Sequence, residues 1–214
     1  YYNYELINYS NDEISIGKTL NNCLKNQYFK NFLVDSINHS TRQFDHKFYK
    51  TDYVNGFFRY EKYARRDVHR MLGWDQVPNA QTVGGYQVSK NGKVCPIFVT
   101  YKKKTDIADT MNYDDKFLTS GLFEWFSKSN RSTNSPDVIA ITDLNNHIRL
   151  PFFIKKDDNE GSEFYYIGEF KVIPESILDT KMLDKEKNKE ISVVKIHMDI
   201  DKPVRQDLYE YLVK

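Results

Sequence analysis

Hydrophobic positions in the first fifty residues recur at helical spacing. Ile16, Leu20, Leu24, Phe29, Phe32, Leu33 and Ile37 approximate a 3.6 period, which predicts a polar, helical segment over residues 1–50 with Asp12 or Ser15 as N-cap. A second short helix is expected over residues 63–73, with Val68, Met71 and Leu72 on one face and Gly73 as its stop. The period then shortens. Residues 81–89 and 94–104 flank a Lys90-Asn91-Gly92 turn and read as a hairpin, with Cys95, Ile97, Val99 and Tyr101 sharing one face. Further strands are expected at 137–142, 150–156, 163–173 and 192–200. In the last of these Val194, Ile196, Met198 and Ile200 point inward and Lys195, His197 and Asp199 outward. Tyr113 to Phe126 reads as a helix or helical turn, Asp179 to Glu190 as a charged surface loop, and Pro203 opens a terminal helix ending near Val213. The pattern predicts an α+β fold: a curved sheet or small β-barrel of about six strands with flanking helices.

Composition narrows the class. Over 214 residues, 40% hydrophobic and 29% charged describe one sizeable globular domain or two small ones. Sixteen Tyr and 14 Phe suit cores, interfaces and base-stacking platforms alike. The formal net charge of +1 excludes a protein that coats DNA by charge alone. Charge is nevertheless uneven: from Arg59 to Lys104 ten basic residues face only Glu61, Asp67 and Asp75. That is the footprint of a phosphate-facing surface, or of solvated faces pointing several ways. Cys23 and Cys95 read as two reduced thiols of a cytoplasmic chain, Cys95 in the core. No stretch approaches the roughly 18 apolar residues of a membrane span. Tyr1 in place of Met predicts a piece of a longer protein.

Three chemistries compete. Pro136-Asp137 with Glu169-Phe170-Lys171 has the residue types of PD-(D/E)xK nucleases, where an Asp and a Glu on neighbouring strands hold Mg²⁺. The motif is short, and strand alternation puts Glu169 and Lys171 on an outer face, where a solvated pair is the ordinary arrangement. The five histidines show no ligand spacing with either cysteine, and no nucleophile elbow or phosphate-cradling loop is present. The helix around Arg65, Arg66 and Arg70 lacks a following recognition helix, so those arginines are expected at phosphates. The segment from Tyr113 to Arg131 is richest in chemistry. It places Tyr113, Phe123, Trp125 and Phe126 beside Asp114, Asp115, Ser127, Lys128, Ser129 and Arg131. An extruded cytosine needs an aromatic face, an acceptor for its N4 amino group and cations around the mouth. Trp125 and Phe126 read as core residues ahead of pocket residues.

RRDVHRMLGW (65–74), GGYQVSKNGKVCPIFVTYKK (84–103), YDDKFLTSGLFEWFSKSNRST (113–133) and LPFFIKKDDNEGSEFYYIGEF (150–170) together resemble one bacterial family. It is the C-terminal target-recognition domain of SauUSI-like type IV, modification-dependent restriction endonucleases, found behind phospholipase-D-like nuclease and superfamily-two helicase modules. The resemblance covers residues 55–175. It implies an SRA/PUA-like barrel over 51–214; the helical 1–50 segment lies outside the resemblance and is expected to join it in one compact domain. The implied function is to read 5-methylcytosine or 5-hydroxymethylcytosine in duplex DNA by base flipping. No catalytic centre, metal or cofactor is then expected in this chain, ATP and Mg²⁺ belonging to the helicase and nuclease modules of the same polypeptide. Under this reading Tyr113 or Trp125 stacks on the base, Asp115 accepts from N4, and Ser127 lies beside them. Arg65, Arg66, Lys102, Lys103, Lys128 and Arg131 hold the backbone. A protein-interaction or regulatory domain of a helicase-nuclease, or an intrinsic nuclease, is the alternative.

Overall fold

A computed structural model of the chain describes residues 6–10, 13–48, 52–74, 76, 78, 85–102, 115–184 and 189–214. The chain divides into two compact units, Tyr1–Asp52 and Tyr53–Lys214.

The first unit opens with a hairpin rather than a helix. Strands β1 (Ile7–Ser10) and β2 (Glu13–Ile16) pair antiparallel, Ile7 opposite Ile16 and Tyr9 opposite Ile14. Isoleucine and tyrosine at alternate positions favour a pleated ribbon, so the period of two wins over the helical spacing expected here. Ser15 therefore lies in a strand, and Asp12 lies outside the described residues. Helix α1 (Lys18–Cys23) starts at Gly17, and α2 (Gln27–Phe48) starts at Asn26, whose Oδ1 accepts from the Phe29 N–H at 3.1 Å.

The second unit holds the core. Strands β3 (Tyr53–Val54) and β4 (Phe57–Phe58) form a hairpin across Asn55-Gly56, both at positive φ, the Asn-Gly chemistry of a tight turn. Then follow β5 (Lys62–Ala64), α3 (Arg65–Met71), β6 (Ile97–Thr100), β7 (Lys116–Thr119) and β8 (Leu122–Phe126). After them come α4 (Pro136–Thr142), β9 (Pro151–Lys155), β10 (Glu163–Val172), β11 (Leu178–Asp184), β12 (Lys189–Ile200) and α5 (Gln206–Val213). Six strands make a continuous path in the order β6-β9-β10-β12-β8-β7, with β5 added to β10 and β11 to β12. Among the described strand pairs of this sheet, β6 and β9 run parallel and the others antiparallel.

A bulge between Tyr166 and Gly168 bends β10, so its first half pairs with β5 and β9 and its last residues with β12. Gly168 sits at φ +145°, and a Cβ there would collide with the Asp201 carboxylate. Buried Arg59 fixes the bend by donating to the carbonyls of Ile167 (2.6 Å) and Lys202 (2.7 Å). The sheet curls until Tyr101, just beyond β6, meets Phe117 of β7 with ring centroids 5.7 Å apart. The result is a mixed α+β fold with a half-barrel sheet, as the periodicity implied.

Both sheet faces are covered. One apolar cluster joins Ile97, Phe123, Trp125, Phe152, Phe170, Ile196 and Met198 to Val138 and Ile141 of α4 and Leu208 and Leu212 of α5. The other joins Phe98, Phe153, Phe164 and Tyr166 to Phe57 and Val68. Neighbours such as Ile97 and Phe98 thus enter opposite clusters. Cys95 is a free, buried thiol, as its strand pattern indicated.

Four further expectations need correcting. Of the strand expected at 81–89, the described residues 85–89 form only an isolated bridge from Tyr86 to Ile97, because the chain there is irregular rather than extended. Residues 137–142 form helix α4, not a strand. Val138 and Ile141 are buried at an i, i+3 spacing, and Pro136 at the first helical position fixes the start. Residues 113–126 contain no described helix: β7 and β8 form a hairpin turning through Ser120-Gly121, with Phe117 opposite Phe123. The loop expected at 179–190 is largely strand, because β11 pairs with β12 from Leu178–Lys195 to Asp184–Lys189.

Candidate functional site

A cleft of about 520 Å³ opens where the loop after β8 meets the start of α4, with Val88, Tyr86, Lys128, Arg131, Pro136 and Asp137 in its lining. The loop is held to the sheet by its backbone. Ser127 donates its N–H to the Val194 carbonyl (2.9 Å), and its Oγ accepts from the Val194 N–H (2.8 Å). Arg131 N–H donates to Ser192, and Thr133 donates through both N–H and hydroxyl to Asp179, each at 2.8 Å. The chain then turns through Ser132 and Ser135 into α4, which places Asp137 in the first turn, where the helix dipole favours a carboxylate.

Asp137 Oδ2 accepts from the Tyr86 hydroxyl and from Arg131 Nε, both at 2.8 Å. Burial alone would raise the Asp137 carboxyl; the Arg131 guanidinium and the Tyr86 hydroxyl more than offset it and hold the group below the ordinary carboxylate range. The bond to Asp137 likewise raises Arg131. Burial pushes the Tyr86 hydroxyl up, which keeps it protonated as a donor. Lys128 places its Nζ 4.5 Å over the Tyr86 ring, and burial lowers its pKa although Asp137 opposes the shift. Tyr86 also meets Trp125 edge to face, ring centroids 5.0 Å apart. Two cations and one carboxylate leave the cleft with a positive balance, suited to an anionic ligand that also carries a hydrogen-bond donor.

The structure gathers some of the sequence-derived candidates here and disperses others. Lys128 and Arg131 line the cleft. Trp125, 2% exposed, lies in the core beneath Tyr86 and presents no stacking surface. Ser127 is buried and bonded to β12. Asp115 Oδ1 accepts from the Phe126 N–H (2.9 Å), which ties the end of β8. Tyr113 and Lys103 lie outside the described residues. Arg65 rests its guanidinium against Phe98 and Phe164, 5.3 and 4.9 Å from the ring centroids, and burial lowers its pKa. Arg66 is exposed, 3.8 Å from Asp67, and Lys102 is exposed at the end of β6. The basic run from Arg59 is thus not one surface, since Arg59 itself is internal.

The nuclease constellation does not form. Asp137 sits on a helix, while Glu169 in β10 pairs with Arg149 at 2.7 Å. Among the described residues no group of three His, Cys, Asp or Glu side chains is placed to hold a metal ion. No helix among them is long and apolar enough to cross a membrane. Sequence reading missed Tyr86 as a site residue and gave Asp137 a different role. The serine-proline pair before Asp137 marks a helix start, but nothing local joins positions 86 and 137.

The fold and cleft define a mixed α+β curled-sheet domain with a cationic, aromatic-backed recess. The chain belongs to the family described as Domain of unknown function (DUF3427), whose model matches residues 57–212. No curated protein matches it. Among solved structures it is similar to Arabidopsis thaliana SUVH6 in complex with SAM, at 15% identity and a TM-score of 0.46. The likeness covers 75% of this chain and 29% of that one, so the chain spans less than a third of SUVH6.

Proposed function

We propose that this chain is a DNA-binding recognition module that reads 5-methylcytosine or 5-hydroxymethylcytosine in duplex DNA for an ATP-dependent type IV restriction endonuclease. One observation carries the reading: a carboxylate fixed by Tyr86 and Arg131 in a recess lined by two cations. Lys128 and Arg131 meet phosphate oxygens at the mouth. A carboxylate offers about four acceptor positions, and Tyr86 and Arg131 take two, so Asp137 fills the role the sequence assigned to Asp115 and accepts from the cytosine N4 amino group. Val88 and Pro136 supply apolar surface for the 5-substituent. The recess falls within the ~300–1,000 Å³ of small-ligand sites, and a base reaches it by leaving the duplex stack. In this reading the chain performs no catalysis and needs no cofactor. ATP hydrolysis and strand cleavage belong to helicase and nuclease modules of the same polypeptide.

Fluorescence anisotropy with otherwise identical duplexes carrying cytosine, 5-methylcytosine or 5-hydroxymethylcytosine tests this. One modified form should bind tighter by about 1–3 kcal/mol. Asp137→Asn should erase that preference, and Lys128→Ala should lower the slope of log Kd against log salt by about 1 for every duplex. Equal affinity for all three duplexes removes the modified-base reading, and no binding at low salt removes DNA altogether.

A further inference from the structure

A second recess adjoins the Asp137 cleft. It encloses about 380 Å³, and Leu72, Trp74, Gln87, Ser89, Lys90 and Val94 are in its lining. Gln87 also lines the cleft, so one short segment of chain, residues 86–89, serves both cavities. The segment ends in a hydrogen-bonded turn. Ser89 Oγ accepts from the N–H groups of Lys93 and Val94, each at 3.1 Å, and donates to Asn91 Oδ1 at 2.7 Å. The Ser89 N–H donates to the Val94 carbonyl at 2.8 Å. This turn carries exposed Lys90 at the recess.

Three features define what the recess suits. The indole N–H of half-buried Trp74 is shielded from solvent and has no partner among the described residues, a penalty relieved only when an acceptor meets it. His69, whose ring centroid lies 4.6 Å from that of Trp74, does not supply one. Its Nδ1 donates to the Arg65 carbonyl at 2.7 Å, burial lowers its pKa and keeps the ring neutral, and its Nε2 is itself buried without a partner. The Gln87 carboxamide makes no side-chain hydrogen bond among the described residues, and it presents a donor and an acceptor side by side. Lys90 adds a cation, and none of the described lining residues is a carboxylate. An aromatic face, a free N–H, an amide edge and a cation suit a nucleobase carried on a phosphate backbone.

We propose that this recess is a second nucleobase site, filled by the base next to the modified cytosine on the same strand. The inference rests on the reading of the Asp137 cleft given above. Two cavities that share Gln87 are filled most directly by consecutive nucleotides. The Trp74 indole stacks on the second base and offsets the stacking it loses in the duplex, Gln87 pairs with its edge, and Lys90 meets the phosphate. The domain then reads a modification together with its neighbour.

Anisotropy and tryptophan fluorescence of the 214-residue chain test this with modified duplexes that are intact or carry an abasic site 5′ or 3′ to the modified cytosine. One of the two abasic duplexes should bind the wild-type chain about ten-fold more weakly, and the other should match the intact duplex. The intact duplex should quench fluorescence, and the quenching should vanish in Trp74→Phe, which keeps a ring against His69 and leaves core-buried Trp125 as the emitter. Trp74→Phe should weaken binding of the intact duplex about five-fold and leave the weaker abasic duplex unchanged, a coupling that a merely structural loss does not produce. Equal affinity for the intact and both abasic duplexes, or quenching that persists in Trp74→Phe, would overturn the second site while the preference for modified over unmodified cytosine stands. Quenching by free deoxynucleoside monophosphates with both abasic sites harmless would assign the recess to a free nucleotide and overturn it equally. Equal affinity for modified and unmodified cytosine is the separate result that removes the reading beneath it.

Discussion

The two units of this chain use apolar residues in opposite ways. In the second, neighbouring side chains of one strand enter different clusters, so β9 is buried along its whole length. In the first, both strands of the hairpin are exposed throughout and α2 has no buried residue. Polar contacts divide the same way. Among the described side-chain contacts of the first unit are local ones, such as Arg42 to the Asn38 carbonyl and Gln27 to Asn31. Those of the second join distant parts of the chain, such as Tyr86 to Asp137 and Arg149 to Glu169. The lesson is that periodicity identifies an element's apolar face without saying what covers it. A helix draws most of its stability from such cover, so the apolar spacing of α2 does not by itself name what it packs against.

The largest effect expected from this contrast is in the core. Phe152, fully buried, stacks on Phe170 with centroids 4.0 Å apart and also meets Phe123. Phe152→Ala should cost about 3–5 kcal/mol. Phe32→Ala in α2, where the ring is 75% exposed, should stay within about 0.5 kcal/mol. Urea unfolding followed by tryptophan fluorescence reports the second unit alone, and far-UV circular dichroism reports both. Comparable losses in the two variants by either probe would break the contrast.

Strand β12 shows what the sequence made legible: its alternation placed Val194, Ile196, Met198 and Ile200 inward, where the structure has them. Such long, regular elements are read from one period. Residues 137–142 could not be, because six apolar-rich residues satisfy a strand and a short helix equally and only the preceding Ser-Pro argues for the helix. Between 113 and 126, aromatic density masked the alternation of Phe117, Phe123 and Trp125. The Asn55-Gly56 turn was a readable hairpin signal between apolar pairs. In the site, Lys128 and Arg131 could be chosen as cations beside aromatics. Asp115 and Ser127 have the right chemistry but spend it on backbone groups, a distinction visible only in three dimensions.

An intermediate effect is expected at the bend. Gly168→Ala forces a side chain onto a backbone at φ +145° and into the Asp201 carboxylate, which accepts from the Glu169 N–H at 3.2 Å. A loss of about 1–3 kcal/mol is expected in the tryptophan-reported transition, the usual cost of such strain. A neutral substitution would mean that the bulge is not what bends β10, and that the half-barrel owes its curvature to packing instead.

The smallest effect is electrostatic and separates the units by pH. Asp137 is partly exposed, so its ion pair with Arg131 is screened and modest in size. Its direction is nonetheless definite. The folded carboxyl lies below its ordinary value, so the unfolded chain takes up a proton first as pH falls. The stabilisation is therefore complete above the unfolded value near ~3.9 and drains away as pH drops through the lower folded one. Asp137→Asn, which keeps the shape and removes the charge, should lower Tm at pH 7 and pH 5, and the gap from wild type should narrow at pH 3. A gap that stays constant from pH 7 to pH 3 would show that the charge on Asp137 does not hold Arg131 and Tyr86 in place, and the cleft would lose the fixed acceptor on which base reading depends.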